Sequence, residues 1–211
     1  ILKTSGVSFS SVDKAECLNR INKIKESVGC DLPNVYLLHG ELSDVEMNAL
    51  FNHEKVKTHI SFTHGEGYGH PLLLAGLSGK PVMASDWSGH LDFLNSENSY
   101  PIKGELKQVR GDSANQWIMK ESAWFNVNYE KAKEKLRGMV VNYDSLTEKS
   151  VLGCVGLAEK FNTAAIDKQF HAMLDKYVPE FPVTSQIVLP KLKKLELPSL
   201  KKIDLPTLKK V

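Results

Sequence analysis

Cysteine is scarce in this 211-residue chain, and what there is excludes a disulfide scaffold. Cys17, Cys30 and Cys154 are odd in number, far apart and free of any CxxC pairing. They read as small apolar fillers and suit a reducing, cytoplasmic compartment. Long hydrophobic runs are missing as well. None approaches the ~20 apolar residues of a membrane helix, and no segment near Ile1 has the pattern of a signal peptide. An initiator methionine is also lacking. The chain starts inside the apolar stretch Ile1-Leu2-Lys3-Thr4 and is expected to be a fragment without its N-terminal side. Its histidines show neither HxxxH nor HExxH spacing, so no metal site is expected.

An excess of charge of one sign is absent overall, since 27 basic residues meet 25 acidic ones. The balance is uneven along the chain. Seven lysines between Lys191 and Lys210 face only Glu196 and Asp204, leaving 20 basic and 23 acidic groups in the rest. A mildly acidic body with a basic tail does not suit nucleic-acid binding, which would place its basic residues on the folded part. The tail repeats every eight residues: Leu189-Pro190-Lys191-Leu192, Leu197-Pro198-Ser199-Leu200, then Leu205-Pro206-Thr207-Leu208. A proline in each repeat argues against a continuous helix. The tail is solvated, or it is a docking arm for an acidic partner. The division expected is a domain over 1–178 and a tail over 179–211.

The body alternates strand and helix patterns. Ile1–Thr4, Asn34–His39, Thr58–Thr63 and Lys80–Ser85 read as strands. Ser10–Val28 reads as a helix, with Ala15, Leu18, Ile21, Ile24 and Val28 at spacings of three and four. Ser43-Asp44-Val45-Glu46 is a capping box that starts a helix to about Phe51. A helix over Pro71–Ser78 is stopped by Gly79. This order predicts an α/β fold: a mostly parallel, Rossmann-like sheet with helices on both faces. After about Arg110 the pattern turns to helix alone (Tyr129–Val141, Ser145–Phe161, Thr163–Tyr177), with Trp117 and Trp124 as packing anchors beneath these helices. Ligands of such sheets bind beyond the carboxyl ends of the strands.

One constellation sits at such an end: Thr63-His64-Gly65-Glu66-Gly67-Tyr68-Gly69-His70-Pro71-Leu72-Leu73. Its alternating glycines let a ligand approach the main chain. Pro71 suits a first helical turn, whose free N–H groups favour an anionic or hydroxyl-rich ligand. Glu66 is placed to accept hydrogen bonds from hydroxyls. The spacing differs from the dinucleotide fingerprint, and a solvated glycine turn is the plain alternative.

Together with Gly79-Lys80-Pro81-Val82 and Ser88-Gly89-His90-Leu91-Asp92-Phe93-Leu94, this segment resembles the C-terminal domain of retaining GT-B glycosyltransferases of the family 4 group. That family shows E-G-F/Y-G-x-P-L-L-E-A, then G-x-P-V, then S-G, in the same order. The resemblance implies the donor-binding half of a GT-B fold, followed by C-terminal helices and an irregular tail. It implies a nucleotide sugar as substrate, no cofactor, no metal, and an acceptor held mainly by a missing N-terminal domain. Glu66, the candidate catalytic residue, matches the first glutamate of the family's E-x7-E motif, which contacts the donor sugar, and Gly67, Tyr68 and Gly69 match the loop along the sugar and diphosphate. Lys3 is the candidate for the basic diphosphate contact. His64, Gly65, His70, Ser88 and Gly89 complete the donor-binding set, and Trp87 is placed to approach the donor. The second motif glutamate, which holds the ribose, falls at Leu74, which cannot accept a hydroxyl's hydrogen bond. His70 and Asp92 are candidates to take over. The rival to a transferase is therefore an inactive, transferase-like binding or assembly module working through its basic tail.

Overall fold

The computed structural model describes residues 1–4 and 10–179. The eight-residue repeats of the tail lie outside the described residues. The chain divides into two compact units, Ile1–Asp167 and Lys168–Val211.

In the first unit strands and helices alternate as the hydrophobic pattern requires: β1 (Leu2–Thr4), α1 (Ser11–Val28), β2 (Leu37–His39), α2 (Asp44–Asn52), β3 (His59–Ser61), α3 (His70–Leu77) and β4 (Val82–Ser85). A 3-10 turn over Gly89–Asp92 leads to β5 (Tyr100–Ile102), β6 (Gly104–Gln108) and β7 (Ala123–Val127). Helices α4 (Tyr129–Val141), α5 (Tyr143–Lys160) and α6 (Thr163–Tyr177) follow, and the second unit begins within α6. Local chemistry sets the helix ends. Ser10 Oγ accepts from Asp13 N–H at 3.2 Å to open α1, and Gly29 closes it with φ 64°. Ser43 and Glu46 form the expected capping box on α2. Gly79, with φ 70°, follows α3, and Asn162 Oδ1 accepts from Ala165 N–H at 2.9 Å at the start of α6.

β1 and β2 pair in parallel, and β3, β4 and β5 form a second parallel sheet. Alternation along β4 separates two cores. Val82 and Ala84 pack with Leu72, Leu73 and Ala75 of α3 and Leu157 of α5. Met83 packs on the other face with Phe125 and Val127 of β7 and Ala132 and Met139 of α4. Each large apolar side chain buried here contributes about 1.5–3 kcal/mol. Gly76 lets α5 close on α3, since a Cβ there would meet Leu157 Cδ1 at 2.7 Å. Among the described residues none before Gly69 is buried, so this double core, not the N-terminal β1–α1–β2 unit, anchors the first unit.

The region after Arg110 is not helix alone. β7 pairs antiparallel with β6, Leu106 opposite Phe125 and Lys107 opposite Trp124. Its period-two burial, with Phe125 and Val127 inside and Trp124 and Asn126 half-exposed, is the signature that overrides the helical reading. Trp117 is 84% exposed and anchors nothing. Trp124 stacks on His64 instead of lying beneath the terminal helices. The amphipathic pattern of α1 buries no residue fully: Cys17 and Ile21 are half-buried, while Leu18, Ile24 and Val28 stay exposed.

Candidate functional site

The loop between β3 and α3 turns on Gly69, which takes φ 85° and serves as the N-cap of α3. A side chain at this φ is strained, and a Cβ would stand 3.0 Å from His90 Cβ. The Gly69 carbonyl accepts from Leu72 N–H at 2.9 Å and Leu73 N–H at 3.1 Å, which satisfies the first turn from below. The backbone N–H groups of Gly65, Gly67, Tyr68, Gly69 and His70 make no hydrogen bond to another described residue. They form a row of donors at the positive end of α3. The Glu66 side chain is half-buried among them, and its carboxylate has no partner among the described residues. A ligand that accepts along its backbone and donates from hydroxyls is the chemical complement of this loop.

A second loop holds the first in place. Ser88 Oγ accepts from Glu66 N–H at 2.9 Å and donates to the Glu66 carbonyl at 2.6 Å. Gly89 N–H adds a second bond to that carbonyl at 3.0 Å. A Cβ on Gly89 would fall 2.2 Å from the Gly67 carbonyl oxygen, so only glycine permits this approach. Ser88 itself takes φ 86° and ψ −166°, a region that belongs essentially to glycine. It is the one non-glycine residue at positive φ among the described residues. Strain of ~1–3 kcal/mol at one residue is thus spent on fixing the backbone of Glu66.

β7 braces both loops. The His64 ring stacks on Trp124 with centroids 4.6 Å apart and planes at 9°, and its Nδ1 lies 2.8 Å from the Phe125 carbonyl. The Trp87 ring stacks on Phe125 at 5.6 Å and 6°. Adjacent residues of one strand therefore fix the residues next to Gly65 and Ser88. Sequence reading missed this role. The available signal was the strand alternation of Trp124-Phe125-Asn126-Val127, but pairing with β6 and contact with residues some sixty positions away are not legible from it.

No family model matches the sequence. Among solved structures, HepE of Anabaena in complex with UDP and glucose aligns with TM-score 0.56 and 12% identity, over 82% of this chain and 40% of HepE. HepE with UDP-glucose gives TM-score 0.54 and 14% identity over 82% and 39%. HepE with UDP gives 0.52 and 14% over 80% and 38%. The fold is the Rossmann-like half of a GT-B structure. The chain spans about two fifths of the length of the proteins it matches.

Within this GT-B half the expected site residues separate into groups. His64, Gly65, Glu66, Gly67, Tyr68, Gly69, His70, Ser88 and Gly89 come together at the two loops. The Tyr68 ring leans on buried Phe93 at 5.2 Å and stays 41% exposed. His70 is exposed at the first position of α3. His90 is fully buried: its Nε2 donates to the Ser85 carbonyl at 2.6 Å, while its Nδ1 has no partner. Ser85 Oγ and Thr63 Oγ1, at or just past the carboxyl ends of neighbouring strands, are also buried without a hydrogen bond. Leu74 is half-buried one turn into α3. Lys3 stands apart from the two loops in its bonding. Its ammonium donates to the Gly40 carbonyl at 2.6 Å and the Thr4 carbonyl at 3.3 Å, at the carboxyl end of the β1–β2 pair.

A cavity of about 1490 Å³ opens elsewhere, lined by Asp86, Leu91, Asn95, Lys103, Asn126 and Lys131 among others. Glu66 and the glycines of its loop do not line it. The loop instead lies open, with Gly65, Gly67 and Tyr68 exposed. Among the described residues no three His, Cys, Asp or Glu side chains are grouped to hold a metal ion, and no helix is long and apolar enough to cross a membrane. The three cysteines are free, and they are not all fillers: Cys30 is exposed, while Cys154 Sγ donates to the Leu77 carbonyl at 3.0 Å.

Proposed function

We propose that this chain is the donor-binding half of a glycosyltransferase that uses a nucleotide sugar. The observation that carries the proposal is the pairing of the unpartnered backbone N–H groups of Gly65, Gly67, Tyr68, Gly69 and His70 with the unpartnered Glu66 carboxylate, at the carboxyl edge of a GT-B half. Donors of this kind match diphosphate oxygens, and an acceptor carboxylate matches sugar hydroxyls. The likeness to HepE structures that hold UDP and glucose supports the same reading. An open loop also fits a site that a second half completes.

In this reading Glu66 holds the donor sugar, Gly67, Tyr68 and Gly69 line the diphosphate, and His64, Gly65 and His70 flank it. Ser88 and Gly89 act through the Glu66 backbone, and Lys3 supplies positive charge once it leaves the Gly40 carbonyl. Transfer proceeds with retention, as the family 4 resemblance implies, and without a metal. The departing diphosphate is stabilised by pre-positioned N–H dipoles rather than by a protein nucleophile. The acceptor sits mainly on the other half, so this chain alone binds donor and transfers nothing.

Leu74, an apolar residue where the family has its ribose-binding glutamate, favours a second reading, a transferase-like module that no longer turns over. Calorimetry with a panel of nucleotide sugars separates the two. Binding of one nucleotide sugar well above its free nucleotide supports the transferase, and no binding to any of them supports the module.

A further inference from the structure

The Phe125 carbonyl can only accept a hydrogen bond, so the His64 nitrogen 2.8 Å from it carries the proton. That nitrogen is Nδ1. In the neutral ring Nε2 is then a bare lone pair, and no described residue bonds it. The ring cannot easily turn to exchange its nitrogens. It lies flat on Trp124 at 4.6 Å and 9°, and a flip would place a C–H against the carbonyl. His64 is exposed and immediately precedes the row of N–H donors that begins at Gly65. The loop thus offers donors along its backbone and, two residues before Glu66, a neutral acceptor in addition to that residue's carboxylate.

We propose that Trp124 and Phe125 hold His64 as its Nδ1–H tautomer, so that Nε2 accepts a hydrogen bond from a hydroxyl of the donor's sugar. Trp124 is a positioning residue, and His64 is a specificity-determining one that reads the sugar and not the diphosphate, because a bare nitrogen repels phosphate oxygens. The proposal rests on the donor-binding reading above. It makes His64 a discriminator between a nucleotide sugar and its free nucleotide. It also gives β6–β7 a purpose: the pair carries the acceptor's support from outside the parallel sheets.

The test combines imidazole ¹⁵N NMR with calorimetry on the full chain, using UDP-glucose and UDP as probes. The variants are Trp124→Ala, Trp124→Phe and His64→Phe, the last keeping a ring against Trp124 while removing both nitrogens. The wild type should show His64 as Nδ1–H when neutral. Trp124→Ala should move it toward the Nε2–H form, and Trp124→Phe should restore the wild-type pattern. Trp124→Ala and His64→Phe should each weaken UDP-glucose roughly five- to tenfold, the worth of one hydrogen bond, with UDP changed less than about twofold. An Nε2–H ring in the wild type, or equal weakening of both probes, overturns the proposal. Failure of the wild type to bind either probe overturns the donor-binding reading and the hydroxyl contact with it, while the ring signature still decides the tautomer.

Discussion

Gly89 offers the sharpest perturbation of the loop clamp. In Gly89→Ala the added Cβ would meet the Gly67 carbonyl oxygen at 2.2 Å, the Gly67 carbonyl carbon at 2.8 Å and the Glu66 carbonyl oxygen at 2.9 Å. All three are backbone atoms, so no side chain can rotate away, and one of the two loops must move. Movement of either loop strains the bond from Gly89 N–H to Glu66 and both bonds from Ser88. Overpacking of this kind costs about 1–3 kcal/mol, and each weakened hydrogen bond adds about 1 kcal/mol. With the equivalent of one of these three bonds lost, the total of about 2–4 kcal/mol corresponds to a melting temperature lower by about 4–16 °C in a chain of this size. The matched control is Gly67→Ala, where an added Cβ meets nothing within 4 Å. It should melt within about 2 °C of the wild type. Thermal unfolding followed by circular dichroism compares them directly. Equal melting temperatures for the two variants would refute the claim that the two loops are held by backbone contact.

Ser88→Gly relieves the positive-φ strain and gives up two hydrogen bonds, whereas Ser88→Ala keeps the strain and gives them up too. Urea unfolding should therefore rank Ser88→Ala below Ser88→Gly by about 1 kcal/mol or more, the reverse of the usual order. Burial pushes the His59 imidazole below its ordinary range, outweighing the Phe51 backbone bond that raises it, and the Lys80 charge lowers it further. Folding thus favours the neutral ring, so the associated stability is present above the ordinary value of about 6.5 and is lost as pH falls below it. His59→Gln should flatten the slope of unfolding free energy between pH 7 and pH 5. Leu74→Glu restores an acceptor where the family resemblance places its ribose contact. UDP-glucose calorimetry should show affinity increased severalfold, and unchanged affinity would remove Leu74 from the donor site.

Residues that shape the backbone of their own neighbourhood were legible in the sequence. Gly69 and Gly79 announced their turns, and Ser43 and Glu46 their capping box, because each depends on neighbours within four positions. The glycine loop opening α3 was legible for the same reason, as was the alternation that gives an α/β fold. What the sequence determined was therefore local geometry and the order of elements. Only the tertiary structure decided that Ser88 clamps Glu66, that β7 stacks Trp124 on His64 and Phe125 on Trp87, and that Lys3 is held by Gly40. Those contacts join residues from about 20 to about 60 positions apart, and their partners are chosen by how parallel strands bring loop ends together. A period of two or four carries no information about that choice.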